Sequence, residues 1–292
     1  MADQVKTTEQ EKKPCSFLKR MVSGYRRQAE PECECRTSYE DSHGVGINIV
    51  GLNKSFNGNP VLKDINLEIF PGETFSIIGP SGTGKSVLLK HIVKLLKPDS
   101  GQILIDGKDI FDSAPETEKN SYRYSMVFQT SALFNSLTVG ENVGLWLREN
   151  RVCTESRIRR IIRDKLRLVG LGGKEGLMPS ELSGGMKKRV AIARSLAMNP
   201  DLILYDEPTA ELDPVTSDEL ARVILNLKKQ VNLTTIIVSH DLNFALYLSD
   251  RVAMMNDKGI VEVGTPNEIK ASENPAIRKF IYTTTKGIKG EQ

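Results

Sequence analysis

The 292-residue sequence predicts an α/β fold built on a mainly parallel sheet covered on both faces. Three observations carry this. Short apolar runs rich in β-branched residues, Thr74–Ile78, Leu202–Tyr205 and Thr234–Val238, read as strands buried on both sides. Longer stretches between and after them, Val87–Leu96, Met186–Ala197 and Ser217–Gln230, read as helices. The two kinds alternate, and neighbouring parallel strands need such crossover connections.

Residues 1–44 are polar, charged and weakly patterned, and are expected to be a mostly disordered extension. Within it Phe17, Leu18, Met21, Val22 and Tyr25 recur at helical spacing beside Lys19, Arg20, Arg26 and Arg27. That pattern fits either a solvated tail or a short basic helix lying on a membrane. Two further strands are expected over Ile47–Leu52 and Leu67–Phe70, and a third over Gln102–Ile105 before the turn Asp106-Gly107. The stretch Leu133–Glu181 reads as helical and charged, with Arg157–Val169 its clearest amphipath. No internal repeat is visible.

Composition excludes several classes. A 39% hydrophobic and 26% charged chain is ordinary for a globular protein. A net charge of +3 is too small to argue for nucleic acid. Cys15, Cys33, Cys35 and Cys153 form neither a disulfide framework nor a metal finger, and reduced thiols are expected. No apolar run is long enough to span a bilayer. Met1–Gln10 has no apolar signal core, and Asp3, Glu9, Glu11, Glu30, Glu32 and Glu34 do not suit a transit peptide. A cytosolic chain that reaches a membrane only through a partner is therefore expected.

Gly79-Pro80-Ser81-Gly82-Thr83-Gly84-Lys85-Ser86 fits G-x-x-x-x-G-K-[ST] in full. Glycines let the backbone curl so that its N–H groups converge on phosphates, and the helix beginning after Gly84 and running through Val87 adds its positive end. Lys85 supplies a point charge, and the Ser86 hydroxyl is a hard oxygen ligand for Mg²⁺. A plain Gly-rich turn is the alternative, but a buried strand leads in and an apolar helix leads out. The run Leu202–Tyr205 then delivers Asp206-Glu207 at a strand end, where open α/β sheets bind ligands. Successive strand residues point to opposite sides. Asp206 is thus expected in the Mg²⁺ shell and Glu207 as general base for the attacking water. Two solvated acids capping a strand would be the better reading were the phosphate loop not in the same chain.

These motifs lie in order with others that resemble the ATPases of ABC transporters. Leu182-Ser183-Gly184-Gly185-Met186 resembles the family signature, Gln129 in Phe128-Gln129-Thr130 its Q-loop, and Ala210-Glu211-Leu212-Asp213 its D-loop. His240 in Ser239-His240-Asp241 resembles its switch histidine, and Phe56 stands where the family places an aromatic against adenine. Glu211 departs from the small residue usual in the D-loop. The resemblance covers roughly residues 47–269. It implies a P-loop NTPase core with a β subdomain and an inserted α-helical signature subdomain near 131–185, within an ATPase domain over 45–269 and ahead of a tail over 270–292. It also implies ATP and Mg²⁺ as cofactors, with Gln129 joining Ser86 and Asp206 around the metal and His240 on the γ-phosphate.

Each ATP would lie between one chain's phosphate loop and the other's signature. Ser183 and the Gly184 and Gly185 amides open a helix with no lysine of their own, an anion site that calls for a second copy of the chain. Sequence around the motifs (Leu177–Glu181, Ala132-Leu133-Phe134, Val87–His91, Met186) is similar to the ATPase of Mce/Mla-type lipid transporters. That similarity implies transport of phospholipids or related hydrophobic molecules from the cytoplasmic face of the inner membrane. It further implies an integral membrane permease, an Mce-domain lipid-binding protein and an accessory subunit as partners. The alternatives are the ATPase of an importer for small polar solutes and a soluble ABC ATPase acting on ribosomes or DNA. One engine and no long heptad insert count against the last. Leu133 and Phe134 are expected to form the contact with the permease.

Overall fold

The computed structural model describes residues 44–112 and 122–286. The expected disordered extension, its amphipathic segment and Cys15, Cys33 and Cys35 lie outside the described residues. The first sheet is antiparallel, with strands β1 (Ile47–Phe56), β2 (Asn59–Ile69), β4 (Ser100–Ile105) and β5 (Lys108–Asp109) in the order β2-β1-β4-β5. Ile47, Ile49 and Leu52 of β1 face Leu62, Ile65 and Leu67 of β2 in its core. Asn57 and Gly58, both at positive φ, close the β1–β2 hairpin in two residues, the backbone that matches the twist of paired strands.

The second sheet has the order β10-β9-β3-β8-β7-β6, from β3 (Thr74–Ile78), β6 (Tyr124–Val127), β7 (Leu202–Asp206), β8 (Thr234–Ser239), β9 (Arg251–Asn256) and β10 (Gly259–Gly264). Every pair is parallel except β9–β10. All residues of β3 and β8 are buried, as strands covered on both faces must be. Because β6, β7, β8 and β3 run the same way, the segments that follow them leave from one edge of the sheet.

Helix α1 (Lys85–Ile92) follows β3. It stops short of the expected Leu96 because Lys94 adopts φ +58 and the Leu95 and Leu96 amides both donate back to the Lys90 carbonyl. The expected helical stretch Leu133–Glu181 resolves into α2 (Val139–Glu149), α3 (Glu155–Leu168) and a short 3-10 turn. Helix α2 begins at a Thr138/Glu141 capping box. Helix α4 (Gly184–Ala197) packs with α2 and α3, and α5 (Pro214–Gln230) follows β7. Beyond them α6 (Leu242–Leu248), α7 (Pro266–Ala271) and α8 (Pro275–Lys286) bury Leu242, Ala245, Ile269, Ile277 and Phe280 against β9. The boundary set at residue 269 therefore falls inside α7. The stretch beyond residue 269, which the resemblance leaves as a tail, is helical over Pro275–Lys286, with Ile277 and Phe280 one turn apart on an inward face.

Candidate active site

Between β3 and α1 the chain folds back on itself. Gly84, at φ +102, lies under Leu62 and the Val61 carbonyl, where a Cβ would stand 2.8 Å from each. Only glycine tolerates both that angle and that space. Gly82, at φ +82, has nothing within 4 Å of where its Cβ would be, so its backbone is open to a ligand. Lys85 is buried, and its Nζ donates to the carbonyls of Gly79 at 2.8 Å and Pro80 at 3.0 Å. Burial pulls its pKa below the usual lysine value, against the opposing pull of Glu207 and Asp206. Thr83 Oγ1 donates to the Pro80 carbonyl at 2.9 Å and stiffens the loop.

The two carboxylates at the end of β7 diverge as alternation requires. Asp206 Oδ1 accepts from Ser86 Oγ at 2.8 Å. Glu207 turns to the other side at φ +49, with its amide on the Val238 carbonyl. Its Oε2 accepts from the His240 amide at 3.1 Å and lies 2.7 Å from His240 Nδ1, while Oε1 stands 3.9 Å from Lys85 Nζ. Lys85, Ser86, Gln129, Glu207 and His240 line one cleft of about 380 Å³, together with Ser81, Gly82, Gly84, Val87 and Val61.

Burial is also the main reason that the Asp206 pKa lies above its ordinary value, with the Ser86 hydrogen bond pulling the other way. A carboxyl whose folded-state pKa exceeds its unfolded one stabilises the fold less as pH rises through the interval between the two. Asp206→Asn removes the unfavourable charge and keeps an acceptor for Ser86. It is expected to raise the melting temperature of the nucleotide-free protein at pH 7. The gain is expected to fade as pH falls below the carboxylate range. A lower melting temperature at pH 7 in differential scanning calorimetry would contradict this.

Gln129 leaves the end of β6 on a loop held by α4. Lys188 Nζ donates to the Gln129 carbonyl. Arg194 donates to the carbonyls of Ser131 at 3.0 Å and Ala132 at 2.7 Å, residues that both sit at positive φ. Asn142 of α2 accepts from the Phe134 amide at 2.9 Å and donates to its carbonyl at 3.1 Å. These three positioning residues escaped the reading of the sequence. Lys188 and Arg194 are two of the four cations in Met186–Ala197, and nothing in the sequence marks these two as the ones that turn to the loop. Leu133 is half-buried against the helical core, whereas Phe134 keeps 52% of its surface exposed.

Other expected site residues do not reach the cleft. Ser183 caps α4 by accepting from the Met186 amide, and Gly185 presses against Thr216 with no room for a Cβ. Ser183 and Gly184 are exposed, and none of the three lines the cleft. Asp213 caps α5, with its carboxylate engaged by the Thr216 amide at 3.0 Å and hydroxyl at 2.5 Å. Glu211 stands at φ +67, which explains why a small residue suits that place: a side chain there costs ~1 kcal/mol or more. Phe56 is 41% exposed at the tip of β1 under Lys54, clear of the cleft lining.

A parallel-sheet edge carrying this loop, acid pair and histidine agrees with the family comparison: the family model described as ABC transporter matches residues 62–210. The chain belongs to the ABC transporter family. The probable ribonucleotide transport ATP-binding protein mkl of Mycobacterium leprae (strain TN) is 42% identical over 239 residues, spanning 82% of this chain and 69% of that protein. The intermembrane phospholipid transport system ATP-binding protein MlaF of Haemophilus influenzae is 39% identical over 232 residues, spanning 79% and 88%. Among solved structures, the post-hydrolysis dimer of the ATP-binding cassette MJ0796 with ADP and Pi matches with a TM-score of 0.66 and 31% identity, over 75% of this chain and 98% of that one. This ABC ATPase has no helix among its described residues long and apolar enough to cross a membrane.

Proposed function

We propose that this ABC ATPase hydrolyses Mg-ATP as one half of a nucleotide-sandwich homodimer at the cytoplasmic face of the inner membrane, and drives phospholipids or related hydrophobic molecules through a permease. The observation that carries the chemistry is the division of labour at the end of β7. Asp206 pairs with Ser86 while Glu207 faces Lys85 and His240. Ser86 Oγ and a carboxylate strained by burial are two adjacent hard oxygens, which suits a cation that keeps its remaining positions for water and phosphate. Ser86 and Asp206, with Gln129 nearby, would hold Mg²⁺, whose charge would screen the phosphates. Glu207 accepts the proton of the attacking water, and His240 orients Glu207 and reaches the γ-phosphate. Lys85 and the loop amides of Pro80–Gly84 bind the phosphates, with Val87 in the first turn of α1 and Phe56 toward the base.

The sandwich accounts for a signature that stands open to solvent and outside its own chain's cleft. Ser183, Gly184, Gly185 and Asp213 would meet the nucleotide of the second copy. A complex with one Lys85→Ala and one Ser183→Arg subunit is expected to keep at most one intact composite site and no more than about half of the wild-type ATPase rate. A rate near wild type, or a crosslink joining Ser183 to Lys85 of the same chain, would contradict the sandwich.

Similarity to MlaF supports the lipid reading, with an Mce-domain protein and an accessory subunit beside the permease. Similarity to mkl favours a second reading, import of a polar solute such as a ribonucleotide. Mass spectrometry of the purified membrane complex separates the two through its subunits and bound lipid. Phe134, exposed on a loop that α2 and α4 clamp, is the proposed permease contact. Phe134→Glu is expected to spare nucleotide binding by the isolated subunit while permease pull-down and lipid transfer fail together. Normal transfer by the folded variant would remove this loop from coupling.

A further inference from the structure

The strand that carries Phe56 is strapped to the segment that links α1 to β4. Lys54, two residues before Phe56 on β1, donates from Nζ to Asp99 Oδ1 at 2.7 Å and to the Lys97 carbonyl at 2.9 Å. The other oxygen of Asp99 accepts from the Ser55 amide at 2.7 Å, and the Asp99 amide donates to the Asn53 carbonyl at 2.9 Å. Asp99 thus holds Lys54 by its cation and by the backbone on either side. Only 16% of the Lys54 side-chain surface stays exposed, although its partner Asp99 is open to water. An ion pair in such a place adds little to stability. What these converging hydrogen bonds supply is a fixed position for the ammonium. So anchored, Lys54 Nζ stands 5.5 Å from the centroid of the Phe56 ring, inside the ~6 Å over which a cation is drawn to an aromatic face. The second strand of the same hairpin, β2, brings Val61 to the edge of the phosphate-loop cleft.

We propose, on the reading of Phe56 as the residue against the base, that Lys54 seated by Asp99 is the positioning residue of this base platform. Its ammonium holds one face of the Phe56 ring, and the other face receives the nucleobase. A cation on one face draws the π density of the ring toward itself. The opposite face is left less negative, which suits stacking with the broad, electron-rich face of a purine. Lys54 therefore acts on the nucleotide through the ring, and its effect is confined to ligands that carry a base.

The test is calorimetric titration of the full-length chain with ATP and with inorganic tripolyphosphate, which offers phosphates without a base. Lys54→Met keeps the stem and removes the charge. It is expected to weaken ATP binding about three- to fivefold, the size of a cation–π contact at a partly exposed ring, and to leave tripolyphosphate affinity unchanged. Lys54→Arg keeps a cation over the ring and is expected to stay within about twofold of the unsubstituted chain. In a Phe56→Ala background, Lys54→Met is expected to add nothing, because the ring through which the cation acts is gone. A further loss there would mean that Lys54 meets the nucleotide directly, and would overturn the positioning role. ATP affinity unmoved by Lys54→Met, or tripolyphosphate weakened by the same factor, would overturn it as well. Phe56→Ala separates the role of Lys54 from that of the ring. If that variant weakens ATP binding and Lys54→Met does not, the role of Lys54 alone falls. If Phe56→Ala leaves ATP affinity unchanged, the base platform falls and Lys54 with it.

Discussion

Glu207→Gln is expected to leave ATP binding intact and to lower steady-state turnover by at least about a hundredfold, within the range for loss of a general base. The two side chains are nearly identical in size, and a Gln Oε1 can still accept the 3.1 Å hydrogen bond from the His240 amide. The backbone at φ +49 suits either residue equally. What disappears is the basic oxygen that a water would approach, and the negative charge 3.9 Å from Lys85. A fall in phosphate release with unchanged affinity for ATP would therefore isolate chemistry from binding. Near-normal turnover in the purified variant would remove Glu207 from the role of base.

Lys85→Ala is expected to act one step earlier, weakening ATP binding by about a hundredfold, or ~2.8 kcal/mol. In the nucleotide-free protein this ammonium is buried and bridges two carbonyls of its own loop, so it keeps the loop curled around the space proposed for the phosphates. Substitution removes both the point charge and that brace. Burial holds the Lys85 pKa below the ordinary lysine value, so its cation is lost at lower pH than that of an exposed lysine. Affinity for ATP is accordingly expected to fall on the alkaline side before free lysines titrate. Isothermal titration over a pH series checks both statements, with melting curves to establish that the variant is folded. Unchanged affinity in a folded Lys85→Ala protein would contradict the assignment.

Much of the cleft was legible because its parts are contiguous. The phosphate loop needs eight consecutive residues, and Asp206-Glu207 needs one strand end. The same local logic located the strands of the parallel sheet, whose double burial leaves an uninterrupted apolar run. It failed where a backbone angle or a contact over a long separation decides. Lys94 ended α1 early through a positive φ that no propensity announces. Strand β6 is short and β10 is half-buried, and their pairing with β7 and β9 is what makes them strands. The Q-loop brace joins Gln129, Ser131 and Ala132 to cations about sixty residues away on α4.

The sequence by itself determined the class of chemistry. It named a phosphate-binding turn, an acid pair and a histidine, each recognisable because its residue types and spacing serve a local geometry. The tertiary structure alone decided their arrangement. It aligned β6, β7, β8 and β3 so that Gln129, Glu207, His240 and Lys85 share one cleft. It also set Ser183–Gly185 apart from that cleft. Parallel strand pairing and helix packing join residues far apart in the chain, and such contacts form only when the whole fold closes.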